Sequence, residues 1–299
     1  MEKCWGFLNK HCVGNWKHFS DTENFRNEVL YMINGMEVLE KEGPQYERRY
    51  KRFQSWYESV FQWHDNFVFT PNKNINWAET KKPMSEWKVG LVSSCGVHLR
   101  SQKPFETDAT EGDWSYREIP ADTDPKDLMI TDSHYDHSDA DSDINCMYPI
   151  VSLRELKKEG VIGSLANTLY GFMGFVPIPK YLIADTAPQV AKKLVDEKVD
   201  VVLLTPGCAV CHQTLGIIQN MIEGMGIPTI TTTLKPELTE QIHVPRAAYL
   251  KFPYGYAAGP ANQLDEQKTI VKEILSLIPE IQEPGTIVKL PYRWQGRVE

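Results

Sequence analysis

The chain of 299 residues carries 32 Lys and Arg against 40 Asp and Glu, a formal net charge of −8, and no basic stripe that would collect the phosphates of a nucleic acid. Apolar residues at 41% and charged ones at 24% are ordinary for a globular chain, and no run nears the roughly 18 apolar residues a membrane helix needs. Six cysteines are too sparse for a secreted disulfide scaffold, and the opening MEKCWGFLNKHCVGNWKHF lacks the apolar core of a signal peptide, so a reduced, cytoplasmic protein of about two domains is expected.

In chain order, residues 1–86 read as a helical, aromatic-rich N-terminal extension and linker. Of the 32 aromatic residues, 15 lie in the first 70 positions. Phe25, Val29, Met32, Ile33 and Met36 recur at helical spacing, Gly43-Pro44 breaks the pattern, and Tyr46, Tyr50, Phe53, Tyr57 and Phe61 then form a second apolar stripe, with Arg48, Arg49, Lys51 and Arg52 elsewhere on that helix. Such a stripe packs on the rest of the protein, or serves as a lid or subunit contact. The polar TPNKNINWAETKKPMSEW reads as the linker. Residues 87–299 then alternate strand and helix: strands over Val89–Ser94, Leu128–Thr131, Asp200–Leu204, the ITTT segment and Ala247–Phe252, and helices over Leu153–Lys158, Ala187–Glu197, Thr214–Glu223 and Gln263–Ile278. Continuous apolar strands between such helices predict an α/β fold, a mostly parallel, doubly wound sheet with flanking helices.

Ligands of open parallel sheets collect at the carboxyl ends of strands. Three predicted strand ends hold four of the eight histidines and three of the six cysteines: Cys95 and His98, then His134 and His137, then Cys208, Cys211 and His212. Cys208-x-x-Cys211 follows the clearest strand and opens a helix, where partial positive charge favours thiolate. An ordinary thiol is only about 3% ionised at pH 7, and making it mostly thiolate takes roughly 2.7 kcal/mol. A helix end supplies at most about 2, so a further donor or cation is expected, from His212 or a neighbouring loop. Cys211, one turn on, is placed to resolve a mixed intermediate as a disulfide. The alternatives for the pair are half of a metal site and buried structural cysteines. CxxCH is also the covalent haem motif, which belongs to exported proteins and does not fit a buried strand end. TDSHYDHSD resembles the metallo-β-lactamase motif THxHxDH, with Asp132 in place of the first His but Ser138-Asp139 where a Gly pair follows, and Asp139-x-Asp141-x-Asp143 starts like a calcium loop but has Ile144 and Ile150 at the required Gly and Glu. His134 and His137 are therefore candidates for a metal, for substrate binding or acid–base work, or for hydrogen bonds within the loop. A metalloenzyme reading would set His134, His137 and Cys208 around zinc or iron.

Five motifs, Cys95-Gly-Val-His98-Leu, Gly112-Asp-Trp-Ser-Tyr-Arg-Glu-Ile-Pro120, Ser133-His-Tyr-Asp-His-Ser-Asp-Ala-Asp141, Gly160-Val-Ile-Gly-Ser-Leu165 and Leu204-Thr-Pro-Gly-Cys-Ala-Val-Cys-His-Gln213, together resemble the selenoprotein B family of glycine, sarcosine, betaine and D-proline reductases, its D-proline branch above all. The likeness runs from about Trp87 to about Gly259. It implies that the position of Cys208 is typically selenocysteine, that this residue attacks a substrate carbon activated by a pyruvoyl group on a partner chain, and that reductive C–N cleavage follows. The thiol matching Cys211 then closes a bond to it that a thioredoxin-like or other dithiol reduces. A thiolate is a poorer leaving group than a selenolate, so Cys208 fits either a natural cysteine form with easier chemistry or a changed codon. The expected function is a thiol-dependent oxidoreductase with Cys208 as nucleophile, Cys211 as resolving thiol and His212 tuning the pair. His98, His134 and His137 line a pocket for a small amino-acid or amine substrate, and Arg117 either holds its carboxylate or makes a structural ion pair. A partner reductase subunit or a second copy of the chain is expected alongside.

Overall fold

The computed structural model describes residues 35–296; of the apolar stripe read from Phe25, only Met36 falls within them. The elements run β1 (Glu37–Val38), α1 (Gly43–Trp63), β2 (Lys88–Ser94), β3 (Val97–Leu99), β4 (Tyr116–Pro120), β5 (Leu128–Ile130), α2 (Ser138–Ser142), α3 (Ile150–Lys158), β6 (Ser164–Leu165), β7 (Thr168–Phe172), α4 (Ala187–Asp196), β8 (Val201–Pro206), α5 (Ala209–Gly224), β9 (Thr229–Thr233), α6 (Pro236–Ile242), β10 (Arg246–Lys251), α7 (Leu264–Glu280) and β11 (Thr286–Arg293). Nine strands form one sheet in the order β1-β11-β10-β9-β8-β2-β7-β4, with β6 also paired to β2. From β11 to β7 every neighbour is parallel, and only the edge strands β1 and β4 run antiparallel. All six residues of β8 and the last six of β2 are buried, as expected of central parallel strands covered by helices. The chain is mixed α/β with a mostly parallel sheet and flanking helices.

The strand order reverses at β2. The chain leaves it for β7 on one side, then crosses back to β8 on the other and proceeds outward to β11. Loops diverging from the carboxyl ends of two such strands leave a crevice between them, and here those ends are Cys95 and Gly207-Cys208. The antiparallel pair β3–β5, in a sheet of its own, carries the loop from Asp132 to His137 toward this crevice. Strand β7, which the sequence does not announce, contains Gly171 because a β-carbon there would collide with the Val97 carbonyl. Among the described residues no helix is long and apolar enough to cross a membrane.

The polar stretch after Thr70, expected as a linker, runs along α5. Thr70 N–H donates to Gln213 Oε1 (2.8 Å), and Gln213 Nε2 donates to Val68 O (3.2 Å). Asn72 Nδ2 donates to Gly216 O (3.1 Å), and Asn76 N–H to Asn220 Oδ1 (2.8 Å). The strap ends at a buried ion pair, Arg246 Nη1 to Glu223 Oε1 at 2.5 Å. Ala78 N–H donates to Glu223 Oε2, Arg246 Nη2 donates to Ala78 O, and the guanidinium lies 3.4 Å over the Trp77 ring.

Helix α1 starts at Gly43, with Pro44 in its first turn, a position where the missing N–H has no helical partner to lose. Gly43-Pro44 thus opens the helix as well as breaking the preceding pattern. Its buried residues are Phe53 and Arg49. Arg49, which lies off the apolar stripe, pairs with Glu240 on α6 (Nε to Oε1, 2.6 Å). Burial pushes the Glu240 carboxyl up from its ordinary 4.5 to about 7 in spite of Arg49. The folded state therefore holds this proton more tightly than the unfolded chain does. The stability it contributes is full below about pH 4.5 and lost as pH rises through about 7, a swing of up to roughly 3 kcal/mol. Glu240→Gln is expected to flatten the pH dependence of the urea midpoint between pH 4.5 and 7.5; an unchanged slope would exclude Glu240 as its source.

Candidate active site

Cys208 is the N-cap of α5, which starts five residues before the periodicity predicts because the cysteine sulfur supplies the cap: its Sγ accepts the Cys211 N–H at 3.3 Å. The two sulfurs lie 2.6 Å apart. Cys208 is 3% exposed and Cys211 0%, and both are free thiols. They belong to one apolar cluster with Phe67, Phe105, Met173, Phe175 and Val210, against which Trp56, Tyr57, Val60, Phe69 and Tyr135 also pack. The aromatic stripe of α1 and the segment after it thus roof the thiol pair, with Trp56 edge-on to Phe67 (5.8 Å) and Phe53 against Phe69 (5.0 Å). Beneath the pair, Gly174 adopts φ +88°, and a β-carbon there would fall 2.8 Å from Cys211 Sγ. Burial pushes the Cys211 thiol well up, and the neighbouring Cys208 and Asp132 add to the rise. The third strand-end thiol, Cys95, is pushed up to about 12 by burial.

The structure brings only some of the predicted residues to this centre. His212 sits in the first turn of α5, but its Nδ1 donates to Cys208 O (2.8 Å) and its Nε2 accepts the Leu234 N–H (3.2 Å). Burial lowers its pKa to about 4, so at pH 7 the ring is neutral and supplies no cation to the thiols. His98 is buried in β3, bonded to Leu99 O and Thr131 Oγ1 (2.8 Å each), and reaches the cluster only edge-on through Phe105 (5.8 Å). His137 turns both ring nitrogens onto its own loop, to Asp141 Oδ1 (3.0 Å) and Asp132 O (3.1 Å). The Arg117 guanidinium is taken up by Lys103 O, Ser115 Oγ, Tyr116 O and Pro104 O, with Asp113 at 4.0 Å and the Phe105 ring at 4.2 Å. His134 does reach the cluster, stacked on Phe175 at 3.7 Å between centroids. The zinc or iron set of His134, His137 and Cys208 is not assembled: among the described residues no three His, Cys, Asp or Glu side chains converge as a metal site.

Residues 61–207 match the family described as glycine/sarcosine/betaine reductase selenoprotein B. Over 222 residues, 74% of this chain and 90% of the relative, it is 40% identical to the D-proline reductase subunit gamma of Acetoanaerobium sticklandii. The chain belongs to the selenoprotein B family. It is also 27% identical over 204 residues to the glycine reductase complex component B subunit gamma of Symbiobacterium thermophilum, covering 65% of this chain and 46% of that one. Likeness to the sarcosine reductase complex component B subunit beta of Peptoclostridium acidaminophilum is 29% over 155 residues, 50% of this chain and 34% of that one. No solved structure matches the chain. These relatives are subunits of reductase complexes, which supports a reductase-type role.

Two groups of this selenoprotein B member's site escape a reading built on histidines and cysteines. Tyr135 donates its hydroxyl to Cys95 O (2.8 Å) and stands beside Gly207, where a β-carbon would come within 2.9 Å of its ring. Burial, then the cysteines and Asp132, hold its phenol well above the ordinary value. Asp132 accepts from His134 N–H and Nδ1, both at 2.8 Å. Its place two residues before His134 is the available sequence signal, since Asp side chains bond the backbone two residues on. Phe175 and Phe67, which bound the centre from distant segments, leave no such mark.

Proposed function

We propose that this chain is the thiol-bearing subunit of a reductase complex that cleaves a C–N bond in a small amino acid or amine, with D-proline the first candidate from the relative's name. The observation that carries this is the Cys208–Cys211 pair, two free sulfurs 2.6 Å apart at the strand-end crevice with only one capping a helix. The Cys208 thiolate attacks the carbon next to the substrate carbonyl; the C–S bond forms, the C–N bond breaks, and nitrogen leaves with the electron pair and takes up a proton. Cys211 then loses its proton and attacks Cys208 Sγ. The S–S bond forms, the C–S bond breaks, and the pair left on carbon takes a second proton. The substrate gains two electrons and two protons, the dithiol becomes a disulfide, and an external dithiol resets it.

Burial and the adjoining Cys208 both raise Cys211, so Cys211 resists ionising beside a charged neighbour. Once Cys208 is bonded to carbon its charge no longer opposes Cys211, and the second thiolate forms at the step that needs it. Treating the complex purified through this chain with D-proline and no reductant is expected to remove two titratable thiols per chain, linked as Cys208–Cys211 by peptide mass mapping and restored by dithiothreitol. Cys211→Ser is expected to retain substrate mass on Cys208. Consumption of D-proline with both thiols unchanged in the wild type would exclude the couple.

A further inference from the structure

We propose that Asp132 and His134 form a carboxylate–imidazole pair that delivers protons to the substrate, with His134 Nε2 carrying the proton and Asp132 as the positioning residue. This rests on the reductive reading of Cys208 and Cys211, whose chemistry calls for one proton on the departing nitrogen and one on carbon.

Three observations converge on the pair. First, an ionised carboxylate only accepts, so the 2.8 Å contact from His134 Nδ1 to Asp132 Oδ1 puts the proton on Nδ1 and leaves Nε2 with the lone pair. The His134 N–H on the same oxygen fixes the turn. Second, Asp132 is 7% exposed, and its Oδ2 is buried with no hydrogen-bond partner among the described residues. A buried acceptor left so is uncommon and calls for a reason; here its charge can offset the one that builds on the ring whenever Nε2 holds a proton. Third, the other strand-end histidines are spent: His98, His137 and His212 each have both ring nitrogens bonded. His134 Nε2 has no partner among the described residues, and its ring lies flat on Phe175, at 8° between planes, in the cluster that encloses both sulfurs. His64 also touches Phe175, tilted at 4.9 Å, but among the described residues no carboxylate orients it.

The proton that Cys208 releases as its thiolate forms reaches Nε2 through water and passes to nitrogen as the C–N bond breaks. The proton that Cys211 releases refills Nε2 in the same way and passes to carbon as the C–S bond breaks. Positioned acid–base groups contribute about 10²–10⁴-fold, and loss of an orienting carboxylate acts by allowing the wrong tautomer.

The test uses the complex purified through this chain, with D-proline, glycine and sarcosine as probe substrates and dithiothreitol as electron source. His134→Gln is expected to lower kcat by at least about 10²-fold with KM within about threefold. His134→Gly should regain at least about tenfold with added imidazole, and His64→Gln should stay within about twofold. Asp132→Asn should lower kcat and move the His134 proton from Nδ1 to Nε2, read by ¹⁵N NMR of labelled histidine. A dead Cys208→Ser beside a fully active His134→Gln overturns the pair and leaves the couple standing. So does a His134→Gln defect that imidazole does not rescue in His134→Gly, with the tautomer unmoved in Asp132→Asn. An active Cys208→Ser, or no turnover of any probe by the wild-type complex, overturns the couple and the pair's role with it.

Discussion

Cys208→Ser is expected to abolish turnover, by about 10³-fold or more, while leaving the fold in place. A serine hydroxyl has neither the acidity nor the nucleophilicity of a thiol and cannot close a bond to Cys211. Its oxygen is, however, among the best N-caps, so it takes over the Cys211 N–H that Sγ accepts at 3.3 Å. Helix α5 therefore keeps its first turn, and the melting temperature is expected to move by only a few degrees. Measuring kcat and thermal unfolding on the same preparation separates chemistry from structure. A fully active serine variant would remove Cys208 from the mechanism.

The largest expected stability effect lies at the far end of the same helix. Glu223 and Arg246 are 0% and 1% exposed in their side chains and bonded at 2.5 Å. Burial pushes Glu223 up and Arg246 down against their mutual attraction, the mark of a pair whose desolvation is costly. Removing one partner leaves an uncompensated buried charge, so Arg246→Met is expected to cost about 3–5 kcal/mol, which for a domain of this size lowers the melting temperature by about 5–15 °C. Glu223→Leu combined with Arg246→Met should recover part of that loss, because no charge is then left behind. A double-mutant cycle by urea unfolding reads the coupling. A single variant as stable as the wild type would show that the strap over 70–80 is not held there.

The central sheet is legible in the sequence because parallel strands buried on both faces are apolar without interruption, as in Val201–Leu204, and the turns between them carry Gly and Pro. The edges are less so. Strand β7 is masked by Gly171, which the approach of β3 requires, and β11 by Pro291 in an edge-proximal strand. The thiol pair is legible for the same reason as β8, since a strand end followed by a helix start is a local signal. What the pair is enclosed by is not local. Phe67, Phe105 and Phe175 come from three distant segments, and an aromatic residue in a polar stretch carries no mark of which cavity it will close. The histidines show the converse. Their number at strand ends is visible, but which ring nitrogens remain uncommitted depends on carbonyls such as Leu99 O and Cys208 O that any sequence has.

The sulfur that caps α5 is also the one that changes bonding in the dithiol–disulfide couple proposed above, and in that couple the reduction potential is tied to helix energetics. With Cys208 reduced, its Sγ accepts the helix N–H. Once bonded to Cys211 the sulfur is a far weaker acceptor, so the reduced state is the better-capped one. An N-cap contributes about 0.5–2 kcal/mol. For a two-electron couple 1.4 kcal/mol is about 30 mV, so the cap alone shifts the potential upward by about 10–40 mV.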